Sequence, residues 1–520
     1  MGSFRNCLLI LLIFAAAFIE PMAPSAAENA KTLFSQAVEA HWKWDLDTAI
    51  RLYTRVLALD PNNARAYFNR GVAYRSKGDE NRALTDFTQA ITKDPELVDA
   101  LYGRGLIYLH GKAYDKACAD MDRVIQLDPK HSGAYRVRGE AQIGLGKFDA
   151  ALTDLNEALK LFRPDSKTYF LKAIAYLGKK DRSKAMENLD KTLELNPKYV
   201  PALVKRGNLF FAKGETKKAV ENYDRAVNLD PNNAEAFNNL GWAKATLGDL
   251  NEALSDFTRA IELNPKFVRA LSNRAAVYRK MDRNDAALAD YTRLLELKSS
   301  DPTIYEARGT VLLNLGQGEA AIKDFDEALK YHAADPSIIM LRGRAKVIAG
   351  QYKEALKDLK VGLESYPNNP QALFSRGKAY EALKDYKSAI RDFSRAIQIN
   401  PASATAETYY DLGKNYLLDG EFDKAIAVLT KVIQKQPTHG LAYANRGVAY
   451  NVKGEYALAA QDFRKALTLL KEKPRIAKVN VLLNAAEKRL QATRPAGPFP
   501  IIPQESAELE SRPVLERQLW

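Results

Sequence analysis

Cysteine is almost missing from this chain. Two residues in 520, Cys7 and Cys118, cannot supply a disulfide framework, so small stapled folds are excluded. Glycine (28) and proline (22) are too sparse for a collagenous or low-complexity chain, and 46% hydrophobic residues are too many for a disordered one. The histidines His41, His110, His131, His332 and His439 are scattered, and no two share metal-ligand spacing, so neither a metal nor another cofactor is expected. No glycine-rich phosphate loop and no serine or cysteine nucleophile motif occurs, and no stretch is left over for a catalytic domain. An enzyme is therefore not expected. Acid is in deficit, with 77 Lys and Arg against 64 Asp and Glu, a net charge of +13. The excess is spread along the whole length without a dense basic run. It reads as solubility with a mild bias toward acidic surfaces, and no nucleic acid partner is expected.

Long apolar runs are also lacking, with one exception at the start. Arg5 is followed by the apolar run Cys7 to Ile19, then by a polar, Pro- and Ala-rich stretch ending Ser25-Ala26-Ala27 before Glu28. This pattern predicts a signal peptide over 1–27 with cleavage after Ala27, and hence export, to a bacterial periplasm or by secretion. The alternative is an uncleaved anchor, for which the run is short. Cleavage would leave Cys118 as the sole thiol, in the middle of a predicted helix.

What the sequence does have is a period. Pro61, Pro95 and Pro129 are 34 residues apart, as are Pro197, Pro231 and Pro265. On that spacing repeats begin at 30, 64, 98, 132, 166, 200, 234, 268, 302, 336, 370, 406 and 440, with two extra residues before the twelfth. Each unit reads as two helices, the second apolar at three- and four-residue spacing and stopped near Asn-Pro or Asp-Pro. Position 20 is Ala in all thirteen units, from Ala49 to Ala459, and position 24 is always large and apolar, as in Tyr53, Phe87, Met121 and Phe463. Position 8 is Gly in ten units and Ala in three. Glycine inside a helix costs about 1 kcal/mol relative to Ala, so close approach of a neighbouring helix is expected there.

A small residue at position 8, Tyr or Phe near 11, Ala at 20, a large apolar residue at 24 and proline at 32 resemble the tetratricopeptide repeat. The resemblance covers roughly residues 30 to 473. It implies an all-α, right-handed superhelical solenoid of about thirteen helix-turn-helix units, without a catalytic domain. Departures are local: Gln142, Lys244 and Lys346 stand where an aromatic is usual. Residues 475–492 look like the capping helix such arrays need, and 494–520, with five prolines and no period, reads as a disordered tail.

Position 7, commonly Leu in the family, is Arg in nine units, and position 23 is Asp in nine. Eight units have both, for example Arg70 with Asp86, Arg274 with Asp290 and Arg446 with Asp462. The simplest account is an Arg–Asp bridge between the two helices, or to the adjacent unit. Function is expected on another face of the first helix, at positions 2, 5, 9 and 12, which the resemblance places on the concave wall. In the first five repeats that face carries Phe34, Phe68, Tyr102 and Phe170. In repeats 10 to 12 it carries Met340, Phe374 and Tyr410 beside Arg344, Lys378 and Lys414. These are the candidate ligand-binding residues, an apolar stripe with a parallel row of cations. Some family members hold a peptide carboxylate in a five-residue clamp. Here Asn208 and Asn239 match that pattern and Arg269 is a conservative substitute for Lys, while Val204 and Asn273 stand where Lys and Arg are expected. The expected function is a protein-interaction scaffold for an extended peptide or partner protein. The alternative is a binder of anionic envelope polymers or lipid headgroups through its positive charge.

Overall fold

The structure is a computed structural model, and it describes residues 30–297, 301–402 and 404–492. The signal-peptide reading at 1–27 and the tail at 494–520 lie outside these residues. Among the described residues there are 27 α-helices, from Ala30–Trp42 to Lys473–Ala492, and no strand. They come in pairs on the 34-residue period, such as Ala64–Ser76 with Glu80–Lys93 and Pro370–Ala382 with Tyr386–Ile399. The chain divides into two compact units, one ending at Leu247 and one starting at Gly248. Within each unit every helix packs on the next in sequence.

The pairing follows from local chemistry. In Glu80–Lys93, Asp79 caps the first turn by accepting from the Arg82 N–H at 3.0 Å, and Ala83, Asp86, Phe87 and Ala90 are buried on one stripe. The helix ends at Asp94, whose Oδ1 accepts from the Glu96 N–H at 3.0 Å to turn the chain. The short link between the helices of each pair contains one residue in the left-handed region. Glycine fills it at eight places, including Gly78 (φ 82°) and Gly350 (φ 78°). Trp44, Lys112, Lys180, Asp282 and Lys384 fill it at five, with φ from 55° to 64°.

The core is written at three repeat positions. The Ala at position 20 is fully buried in every unit, from Ala49 to Ala459. The large residue at position 24 is buried with it, for example Phe87, Phe257, Phe325, Phe393 and Phe463, each at 0% exposure. Burying a side chain of that size contributes roughly 1.5–3 kcal/mol. The glycine at position 8 is where that ring lies. A Cβ on Gly71 would sit 2.8 Å from Phe87 Cε1, and one on Gly377 would sit 2.7 Å from Phe393 Cε1. The expected close approach is thus met by the repeat's own position-24 side chain. At the end of the second unit Lys473–Ala492 packs on Tyr456–Leu469 and buries Val479, Leu482 and Ala486.

Candidate functional site

All eight Arg–Asp pairs form, and all in one geometry. Arg Nε and Nη2 donate in parallel to the two carboxylate oxygens, at 2.8 and 2.8 Å for Arg70–Asp86 and 2.9 and 2.7 Å for Arg104–Asp120. Arg138–Asp154, Arg308–Asp324, Arg342–Asp358 and Arg376–Asp392 repeat it. So do Arg274–Asp290 and Arg446–Asp462, at 2.8 Å throughout. The acids are buried, at 3% to 7% exposure. The remaining nitrogen, Nη1, reaches the preceding repeat in several units: Thr54 from Arg70, Asp122 from Arg138, Thr258 from Arg274 and Asp326 from Arg342. The bridge is therefore both within a repeat and between repeats. Each carboxylate offsets one desolvated guanidinium, and the hydrogen bond to Asp raises the arginine further above its ordinary value. Lys346, one of the departures from the family pattern, joins the ladder by donating to Asp358 Oδ2 at 2.7 Å.

The aromatic residues of the first repeats are half-buried and lean on rings of their own unit. Phe34 meets Tyr53 edge-on at 5.8 Å, and Phe68 lies 5.8 Å from Phe87. Tyr102 packs on His131 at 4.8 Å, and Phe170 on Tyr199 at 5.1 Å. None of the four rings is fully buried.

Repeats 10 to 12 correct the expected apolar stripe with its parallel row of cations. Met340 (7% exposed) and Tyr410 (5%) are core residues. Met340 fills the space left by Gly362, where a Cβ would lie 2.4 Å from Met340 Cβ, and it packs with Leu359 and Leu363. Tyr410 is covered from two sides, its ring 4.7 Å from His439 at the end of its own repeat and its hydroxyl accepting from Asn445 Nδ2 of the next at 3.1 Å. Of these three apolar residues, Phe374 alone remains half-exposed, 5.4 Å from Phe393. Two of the cations are committed. Lys378 Nζ donates to Asp411 Oδ1 at 3.0 Å, and Lys414 Nζ to Glu381 Oε1 at 3.0 Å, with Asn415 Nδ2 on Glu381 Oε2 at 2.6 Å. Burial pushes the Asp411 carboxyl up to about 6, with Glu381 adding and Lys378 opposing. Asp411 and Glu381 were not among the sequence candidates. The signal for them was an acid one repeat away, 33 residues from the cation it meets.

Arg344 is different. Its Nε has no hydrogen-bond partner, and no carboxylate lies within ion-pair distance of it among the described residues. Burial pushes its guanidinium below the ordinary value. It borders a cavity of about 270 Å³ that is also lined by Phe374, Gln371, Ala396, Ala404 and Thr408.

Of the clamp residues in the first unit, Asn208 Oδ1 accepts from the Tyr223 hydroxyl at 2.6 Å and from Asn239 Nδ2 at 3.2 Å, and Val204 is buried. Cys118 is half-buried in Tyr114–Leu127, and burial raises its thiol above the ordinary value, so it is a weak nucleophile. Among the described residues no cluster of His, Cys, Asp and Glu could hold a metal, and no helix is long and apolar enough to cross a membrane.

Helix pairs in series, each burying an Ala and a large apolar residue under a small one, define an all-α helical-repeat protein. Family models agree along most of the chain. A TPR-repeat model matches residues 45–78 and 207–248. Tetratricopeptide-repeat models match 64–97, 234–267 and 370–403; 136–200, 272–338, 306–359 and 410–474; and 99–131. The chain belongs to the tetratricopeptide-repeat family. Comparison with curated proteins returned no match. Among solved structures, it is similar to a chain of the APC/C hetero-tetramer Cut9–Hcn1 at 16% identity, over 88% of this chain and 97% of that one, with a TM-score of 0.38. YrrB, described as a TPR protein with an unusual peptide-binding site, is 22% identical over 36% of this chain and 95% of its own (TM-score 0.30). PilF of Pseudomonas aeruginosa is 19% identical over 41% and 97% (TM-score 0.37).

Proposed function

We propose that this chain is an exported scaffold that binds an extended segment of another protein along its first-helix face. The observation that supports this most directly is the set of half-buried rings fixed by internal packing, Phe34, Phe68, Tyr102 and Phe170 in the first unit and Phe374 in the second. Rigid aromatic surface gives contact area at little entropic cost. Rings recurring at the repeat spacing match an extended chain better than a compact ligand. The eight bridged arginines have little charge to offer a phosphate or other anion, because each is matched by a buried Asp, so a polymer or headgroup would have to use the excess cations elsewhere on the surface.

Site-specific photo-crosslinking in the native envelope tests the reading. A crosslinker at Leu106, on the first-helix face of the third repeat, is expected to capture partner protein, and one at the exposed Ala119 on the second helix is not. Equal capture at both positions, or none at Leu106, would sink it. Export is tested separately by N-terminal sequencing of the mature chain, which is expected to begin at Glu28.

A further inference from the structure

This protein has a consistent way of treating a desolvated guanidinium. At position 7 of the repeat, eight arginines each meet a buried aspartate through two parallel hydrogen bonds. Arg206 meets Asn222 and Asp190 instead, at 2.9 and 2.8 Å. The neighbouring cations on the first-helix face follow suit, Lys378 on Asp411 and Lys414 on Glu381. Arg344, on that face in the tenth repeat, is half-buried, and its buried Nε has no such partner. A buried donor left unpaired is costly, and a ligand that accepts from it would offset that cost.

The space beside Arg344 is shaped for that completion. The cavity of about 270 Å³ is lined by Phe374, Ala396 and Ala404 and by neutral hydrogen-bonding residues that include Gln371 and Thr408. No described acid lines it, so nothing there repels an anion. Its volume falls just below the ~300–1,000 Å³ of pockets that enclose a whole drug-sized ligand. One or two side chains of a peptide fit; a nucleotide does not. Planar bidentate recognition by arginine suits a carboxylate, and the Phe374 face suits an apolar group attached close to it.

We infer that Arg344 and its cavity form a specificity site for a peptide carboxylate next to an aromatic or aliphatic side chain. The inference rests on the peptide-binding reading above and gives it a selectivity. A segment carrying an acid at this register is retained, and its amide or basic counterpart is rejected. The carboxylate can come from an acidic side chain or from a chain terminus.

The test uses the full mature chain and four short peptides read by ¹⁹F linewidth: acetyl-Ala-Glu-(4-fluoro-Phe)-Ala-amide, its Gln isostere, acetyl-Ala-Ala-(4-fluoro-Phe) as free acid, and the amide of the last. At least one acid is expected to bind about tenfold more tightly than its amide, the size of one charge-assisted hydrogen bond. Which acid shows the preference identifies the source of the carboxylate. Arg344→Gln is expected to erase the preference, while Lys360→Gln, which removes an exposed charge from the same repeat, is expected to leave it intact. Arg344→Met, lacking the unpaired charge, is expected to melt no lower than the parent, which separates lost binding from lost folding. Equal affinity of acid and amide in both pairs would overturn the carboxylate site and leave the groove reading standing. A preference that survives Arg344→Gln would place the carboxylate elsewhere and overturn it too. No binding by any probe would also overturn it, and crosslinking at Leu106, in the other compact unit, then decides the groove reading independently.

Discussion

Arg274 holds Asp290 through two parallel hydrogen bonds of 2.8 Å and reaches back to Thr258 of the preceding repeat with its third nitrogen, at 3.0 Å. One guanidinium thus joins two helices of its own repeat and ties that repeat to its neighbour. Stability in a stacked array is the sum of repeat and nearest-neighbour terms, and this residue contributes to both.

The two residues are expected to be coupled. Arg274→Leu alone leaves a carboxylate buried at 5% exposure without its partner, a loss on the order of 3 kcal/mol. Arg274→Leu with Asp290→Val reproduces the apolar pair Leu412 and Val428 of the twelfth repeat, and is expected to cost less than the single change. Denaturant midpoints in a double-mutant cycle read the difference, and additive losses would mean that the pair is not coupled.

How much of this was legible beforehand depended on whether the partner lay in the same repeat. The bridge between positions 7 and 23 could be read because both residues recur together, 16 apart, in eight units. Ala at position 20 and the large residue at 24 were legible for the same reason. The glycine at position 8 was read as making room for a neighbour, but the ring of the same repeat occupies that room. The face in repeats 10 to 12 was misjudged where a single unit departs from the pattern. Gly362 occurs where it lets Met340 sink into the core, and His439 at the end of its own repeat and Asn445 of the following one cover Tyr410. Periodicity says which face a residue occupies; what covers that face depends on residues about 34 positions away that need not repeat.

The left-handed turn residue offers a gain in stability. Lys384 sits at φ 64°, where a β-carbon crowds the following carbonyl, while eight other turns use glycine. Lys384→Gly is expected to stabilise the chain by about 1 kcal/mol, and Gly350→Val, at φ 78°, to destabilise it by at least as much. Equilibrium denaturation of both variants checks the opposite signs; a loss on Lys384→Gly would contradict the account.

At position 8 the ordinary preference of helices for alanine is expected to reverse. Gly377→Ala places a methyl 2.7 Å from Phe393 Cε1 inside a packed core, and overpacking of this kind costs typically 1–3 kcal/mol. The fifth repeat pairs Ala173 with Leu189, both fully buried, so Phe393→Leu is expected to recover part of the loss when combined with Gly377→Ala. Circular dichroism melts of the two single variants and the double measure this. A Gly377→Ala variant more stable than the parent would show that propensity outweighs packing here.

Asp411 gives the array a titrating group near neutrality. Its carboxyl is 2% exposed and is raised from 3.8 to about 6, first by burial and then by Glu381, with Lys378 pulling the other way. The folded state therefore holds this proton more tightly than the unfolded chain. Between about pH 4 and pH 6 the native protein binds more protons at this residue, so its contribution to stability is full below about pH 4 and is lost as pH rises through 6. A displacement of about two units corresponds to roughly 2–3 kcal/mol. Asp411→Asn removes the ionisation and keeps a hydrogen-bond acceptor for Lys378. The stability difference between parent and Asp411→Asn, measured by urea denaturation from pH 4 to 7.5, is expected to shift in favour of the variant across pH 4 to 6 and to be flat above about pH 7. Other titrating groups cancel in that difference, so the slope isolates this carboxylate. A difference that is flat from pH 4 to 6 would mean that the Lys378 ion pair, at 3.0 Å, outweighs the burial of Asp411 and keeps it ionised throughout.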